Sequence, residues 1–317
     1  MTGNEGTPPN PVEMSGINDQ DLRNLALNLA TFINDLVQIP AYEPGVDMAE
    51  IDAAYTSKVY QAPLSYTHEV MRYLLEGVRD SLVAISNIFS HNPMSYIPTA
   101  AVVRQITEYS ATACYISDPA DSAHMRISKM IDMSVASLTK NENSGHHHPE
   151  VRQFFSRSRD RVAGWRGSTD LPKVTKPFVN KSHAVAELFK DLPDEYLGKG
   201  YYDRLSGLAH PSVIDLTHAM ELMWRDNPAM QAAHYGEACA DVLVGIRCAF
   251  FAVARATHFH APRTNLERDL IIVKTEQIRW FITELLARLS AFRATATERA
   301  NEAYRFAGID RPDGFVE

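Results

Sequence analysis

Residues 264–296, TNLERDLIIVKTEQIRWFITELLARLSAFRATA, carry the pattern that decides the fold. Thr264 and Glu267 stand at capping-box spacing, where the threonine oxygen accepts from a first-turn backbone N–H and the glutamate reaches back. Behind them Ile271, Ile278, Leu285 and Phe292 recur every seven residues, and Ile282, Leu289 and Ala296 follow four after the last three. A helix with that seam buries one narrow apolar face. Its partner is either another helix of the same chain or a second copy, which makes the 265–300 helix the candidate homodimer contact.

The same three- and four-residue rhythm runs through the chain upstream. It links Leu22, Leu25, Leu29, Ile33 and Leu36 ahead of Pro40, then Val70, Leu74, Val78, Leu82 and Ile85 within 66–90. It links Val102, Ile106, Tyr109, Ala113 and Ile116 in a helix opened by Pro98. Asp118 reads as an N-cap with Pro119 at N1 of a helix reaching about Leu138. The stretch from Pro44 to Pro63 reads as looser, 140–149 as a polar loop, 151–166 as helical and 167–181 as an exposed loop. Short helices are predicted from Ser182, over 196–210 and over 214–224. A long apolar one follows, capped by Asn227 with Pro228 at N1.

No segment alternates with period two. The prediction is an all-α, multi-helix bundle with long antiparallel helices. An N-terminal lobe is expected over 18–140 and a C-terminal lobe over 150–310, meeting at the polar loop. Residues 1–17, with Gly3, Gly6, Pro8, Pro9 and Pro11 and no apolar core, read as a disordered lead-in.

Composition narrows the function classes. The hydrophobic fraction of 45% and charged fraction of 22% are those of a globular chain. Net charge −8 argues against a protein that coats DNA with its whole surface. The longest apolar run, Cys248–Ala254, falls far short of the roughly 20 residues that span a bilayer. Three scattered cysteines fit a reducing compartment, and a cytoplasmic protein without a membrane partner is expected. Phosphate-loop, dinucleotide, zinc-protease and nucleophile-elbow patterns are absent, so no cofactor is expected. His146, His147 and His148 have no carboxylate or cysteine at ligand spacing, so no metal site is expected either.

Chemistry-bearing residues concentrate in Tyr201-Tyr-Asp-Arg-Leu-Ser-Gly-Leu-Ala-His-Pro-Ser212. Pro211 puts His210 at a helix end. Arg204 and His210 diverge by roughly 120° on a straight helix, a gap a long arginine spans. Tyr202, Ser206 and His210 form one stripe at four-residue steps, so Tyr202 or Ser206 can orient the imidazole. A histidine of ordinary pKa serves as acid or base for attack by a ribose 2′-hydroxyl, and an arginine stabilises the charge that develops on phosphorus. The alternative is structural: His210 and Ser206 satisfy a helix junction while Arg204 makes an ion pair.

Arg204-Leu-Ser-Gly-Leu-Ala-His210, after Tyr201-Tyr202 in an all-helical chain, resembles the Arg-x4–6-His motif of the HEPN superfamily. That resemblance implies a small helical bundle, often dimeric, of the kind that includes metal-independent RNases of toxin and defence systems. It implies Arg204 and His210 as the catalytic pair. The chain departs from the family at Leu205, where a polar residue is usual, and at Pro211 directly after the histidine.

An independent electrostatic signal lies just upstream. Arg152, Arg157, Arg159, Arg161, Arg166, Lys173, Lys176 and Lys181 face only Asp160 and Asp170 within 151–183, a net +6 in a chain of net −8. Phe154, Phe155, Trp165 and Phe178 are interleaved among them. Such a segment suits an RNA backbone, and equally suits contact with acidic surfaces of other helices. The sequence therefore supports two functional readings: a HEPN-like RNA-binding or RNA-cleaving protein, or a non-catalytic helical interaction and assembly protein. A third, a small-molecule site around Arg104, Glu108 and nearby tyrosines, rests on one i, i+4 pair.

Overall fold

The computed structural model describes residues 18–91, 96–144, 147–178, 180–192, 200–209 and 228–307. Among these residues it is all-α: ten α-helices, no strand, and one isolated antiparallel bridge between Ala41 and His260. The helices are α1 (Asp19–Leu36), α2 (Met48–Tyr55), α3 (Pro63–His91), α4 (Tyr96–Ile116) and α5 (Ala123–Glu142). They continue with α6 (Pro149–Gly167), α7 (Lys181–Asp191), α8 (Gly200–Ala209), α9 (Pro228–Ala256) and α10 (Asn265–Ala307). A short 3-10 turn, Thr257–Phe259, follows α9.

α4 is the helix the others surround. It packs on α3, α7, α8 and α9, and it is apolar around most of its girth, with Ala100, Val103, Ile106, Ala113 and Ile116 at or near zero exposure. Two buried hydroxyls at its core face are satisfied locally: Thr107 donates to the Val103 carbonyl (2.9 Å) and Ser117 to that of Ala113 (2.8 Å). Close approach depends on glycine at Gly77 of α3, where a Cβ would lie 3.0 Å from the Tyr109 ring of α4.

The main core takes Leu22–Leu36 of α1, Leu75–Phe89 of α3 and the buried face of α4. From beyond residue 150 it takes Val185 and Leu188 of α7, Leu205 of α8, Cys239–Ala256 of α9 and Ile278–Leu289 of α10. Helices on both sides of the 140–150 stretch thus share one core, and that stretch joins α5 to α6, which pack on each other. A smaller cluster, with Leu64, Ile127, Met130, Ile131, Val162 and Leu171, seats α5 and α6 over the start of α3, with Ile51 and Tyr55 of α2 against it.

Two local expectations are corrected. Residues 44–63 hold α2, started by Asp47, whose side chain accepts from the Ala49 N–H. Asp118 does not cap a helix: its carboxylate accepts from Ala120 N (3.0 Å) and closes a turn with Pro119 inside it. Ser122 is the N-cap of α5, accepting from Met125 N (3.2 Å). An acid two residues before a free N–H satisfies a turn as readily as a helix start, and here the turn wins.

At the other end, Glu267 N donates to Thr264 Oγ1 (3.1 Å), and the Glu267 carboxylate reaches back to Arg263 N. The seam of α10 packs within the chain, where Ile278, Ile282, Leu285 and Leu289 are buried against α9 and α1. The side chains of Phe292 and Ala296, the 214–224 helix and the Asn227 cap lie outside the described residues. Among the described residues no helix is long and apolar enough to cross a membrane.

Candidate functional site

α8 is short, and Leu205 anchors it, with Tyr201 and Tyr202 also packed against the core. Leu205 is fully buried in the main core, so the apolar residue that departs from the HEPN pattern helps to seat the helix. Around that anchor the polar residues of α8 fall into two clusters, one on each of its neighbours.

On the α9 side, Asp241 is completely buried within the apolar run 238–246. Tyr201 OH donates to Asp241 Oδ1 (3.0 Å), and Arg204 Nη2 donates to the same oxygen. The Arg204 guanidinium lies over the Tyr201 ring, 5.1 Å from its centroid, and its side chain is 37% exposed. Burial, reinforced by Asp241, drives the Tyr201 hydroxyl well above the ordinary phenol pKa, so it remains a donor. Arg204 is therefore a held arginine, its charge partly offset by a buried carboxylate while its side chain stays partly exposed.

On the α4 side, Glu108 collects three donors. Arg104 Nε (2.9 Å) and Tyr202 OH (2.8 Å) reach Oε1, and Lys181 Nζ (2.9 Å) reaches Oε2. Partial burial opposes ionisation, but Lys181, Tyr202 and Arg104 together hold the Glu108 carboxyl below its usual pKa. The Arg104 guanidinium sits over the Tyr202 ring at 5.7 Å. Ser206 is half-buried one turn beyond Tyr202, and His210 lies outside the described residues.

The eight basic residues of 152–181 do not form one patch. Arg159 pairs with Glu142 and Asp160, Arg166 donates to the carbonyls of Leu171 and Pro172, Lys176 pairs with Glu187, and Lys181 belongs to the Glu108 cluster. Arg157 bonds only to Gln153, one turn back. Arg152, Arg161 and Lys173 have no side-chain partner among the described residues. Phe154, Arg157 and Arg161 lie within about 60° of one another on the outer face of α6, and Phe154 is 62% exposed. The main packing of α6 is on α5, whereas α8 packs on α4.

One buried polar cluster has no counterpart in the sequence reading. Glu43, 2% exposed, receives Arg126 on both carboxylate oxygens, with Nε at 3.0 Å from Oε2, and His68 Nε2 lies 3.2 Å from Oε2. Arg126 Nη1 also donates to the Asp118 carbonyl (3.0 Å), and its guanidinium stacks 4.3 Å from the Phe259 ring centroid. The pair forms part of the wall of a cavity of about 380 Å³ that His124, His258 and Ser122 also line. Residues 43 and 126 share no motif, and nothing in their local sequence joins them. Asp241 did carry a signal, as a lone acid in the apolar stretch Ala238–Ile246.

The geometry offers held cations at α8, unpaired ones on α6, and no group of three or more metal-ligating side chains among the described residues. Comparison with protein-family models, with curated proteins and with solved structures finds no match to this chain.

Proposed function

We propose that the protein binds RNA through the outer face of α6 and that α8 is its candidate catalytic helix, as the HEPN resemblance implies. The observation that supports binding is the stripe of Phe154, Arg157 and Arg161, in which exposed cations without a carboxylate partner adjoin an exposed ring. Cations free of protein partners release counterions when they meet phosphates, and an exposed ring stacks on any base. The test is anisotropy of a labelled single-stranded RNA across a salt series. Arg157→Ala and Arg161→Ala should each weaken binding and lower the log–log salt slope by about 0.7. Wild-type protein that fails to bind at low salt, or variants with unchanged slopes, would refute it.

For cleavage, His210 acts as acid or base on the 2′-hydroxyl, and Arg204, positioned by Asp241 and Tyr201, faces the developing charge on phosphorus. Incubation of a mixed RNA pool in EDTA should give products ending in cyclic phosphate, and His210→Ala should abolish them. Binding without cutting keeps the α6 interface and discards the catalytic pair.

A second reading, assembly of two copies along α10, is favoured by one observation. Leu266, Val273 and Trp280 recur every seven residues on the side away from the buried seam and are 79%, 50% and 61% exposed. Sedimentation equilibrium should then show a dimer that Trp280→Glu dissociates, and a monomeric wild type rules it out.

A further inference from the structure

We infer that Arg104, Lys181 and Tyr202, gathered on Glu108, form a phosphate subsite that receives the RNA backbone beside α8; this rests on the RNA-binding reading above. The cluster holds two cations and one carboxylate, so it is net positive. The carboxylate is its deepest member: the Glu108 side chain is 13% exposed, against 21% for Arg104 and 53% for Lys181. An anion approaching from solvent meets the ammonium and the guanidinium before it meets the carboxylate.

Donor capacity remains after Glu108 is satisfied. An arginine carries five N–H groups and a lysine three. Arg104 gives Glu108 its Nε–H and Lys181 gives it one proton. Both heads are held in place, Arg104 over the Tyr202 ring and Lys181 5.8 Å from the Tyr109 ring centroid. Holding them lowers the rotamer entropy lost when a phosphate binds.

Position adds a second argument. Lys181 opens α7 directly after the loop that leaves α6, and that loop carries Lys173 and the 73%-exposed Lys176. On the far side, Tyr202 adjoins Tyr201, whose ring carries Arg204. Lys173, Lys176 and Lys181 thus follow one another along the chain up to the cluster, and an extended single strand is a ligand class that uses successive cations.

A clamp that merely joins α4, α7 and α8 would show the same hydrogen bonds, and the test separates the two. The probe is a fluorescein-labelled dodecamer of uridine, titrated with full-length protein from low salt to 0.3 M. A subsite predicts that Lys181→Gln weakens binding about fivefold near 0.1 M salt and lowers the slope by about 0.7, the value for one phosphate on a single strand. It also predicts that Glu108→Gln, by removing the opposing charge, tightens binding, whereas loss of a clamp would leave affinity unchanged or reduced.

If both variants keep wild-type affinity and slope while Arg157→Ala lowers them, the subsite is overturned and the RNA reading stands. If wild-type protein does not bind the probe, both fall together. Lys181 is half exposed and its variant is expected to fold; should Glu108→Gln fail to fold, Lys181→Gln decides alone.

Discussion

Acidification should loosen this protein through His68. That imidazole is buried on α3 with its Nε2 3.2 Å from Glu43, yet it does not gain the raised pKa of a simple histidine–carboxylate pair. Arg126 already engages both Glu43 oxygens, so the carboxylate's charge is largely offset before His68 meets it. Burial prevails over the pull of Asp52 and Glu69 and lowers His68 from 6.5 to about 4.

The sign follows from linkage. Between pH 6.5 and 4 the unfolded chain binds a proton that the folded chain refuses, so stability is fully present above 6.5 and is lost as pH falls toward 4. At about 1.4 kcal/mol per pH unit the full effect is about 3 kcal/mol, of which about 2 kcal/mol falls between pH 7 and 4.5. The assay is urea unfolding followed by circular dichroism at half-unit pH steps for the wild type and His68→Gln, which cannot titrate. The wild type should lose about 2 kcal/mol more than the variant over that interval. His260, lowered by burial in the same direction, is common to both proteins. Parallel pH curves, or an NMR titration of His68 with a midpoint near 6.5, would refute the reasoning.

Other consequences are as concrete. Arg126→Leu strands the Glu43 carboxylate in the interior and should cost about 3–5 kcal/mol in urea unfolding, most of it recovered in the double variant with Glu43→Met. Asp241→Ala removes the acceptor of Tyr201 and Arg204 and should cost about 2 kcal/mol by the same assay, discounted because Arg204 is partly solvated. Burial pushes the Cys239 and Cys248 thiols up to about 12 and raises that of Cys114 as well. A disulfide reagent at pH 8 should therefore label none of the three in the folded state and all three in urea; prompt labelling of native protein would mean the α4–α9 interface opens.

Helix type and much of the core were legible because their cause is local and periodic. The 271–289 seam and the Leu22–Leu36 stripe predict the buried faces seen in α10 and α1. The N-cap of α5 was not legible, because Asp118-Pro119 and Ser122 both offer a plausible start and only packing selects one. At the candidate site, Tyr202 and Arg204 could be singled out from their own dozen residues. Glu108 was marked only by its spacing to Arg104 and Asp241 only as a lone acid in an apolar run; the pairings themselves, 94 positions apart for Tyr202 and Glu108 and 37 for Arg204 and Asp241, are created by the tertiary fold. The basic segment shows the same limit. Its net charge is a sum that sequence supplies, but which cations remain free depends on acids brought in from α5, α7 and α4.

The bridge between Ala41 and His260 fixes when this fold can be completed. Tyr42 N–H donates to the Phe259 carbonyl (2.9 Å), Ala261 N–H to that of Pro40 (3.2 Å), and His260 Nδ1 lies 3.0 Å from the Ile39 carbonyl, 221 positions away in the chain. On a ribosome adding about 5–20 residues per second, Ile39 precedes its partner by roughly 11–44 s. Throughout that interval the apolar face of α1 must wait for α9, resting on α3 alone or in the care of a chaperone.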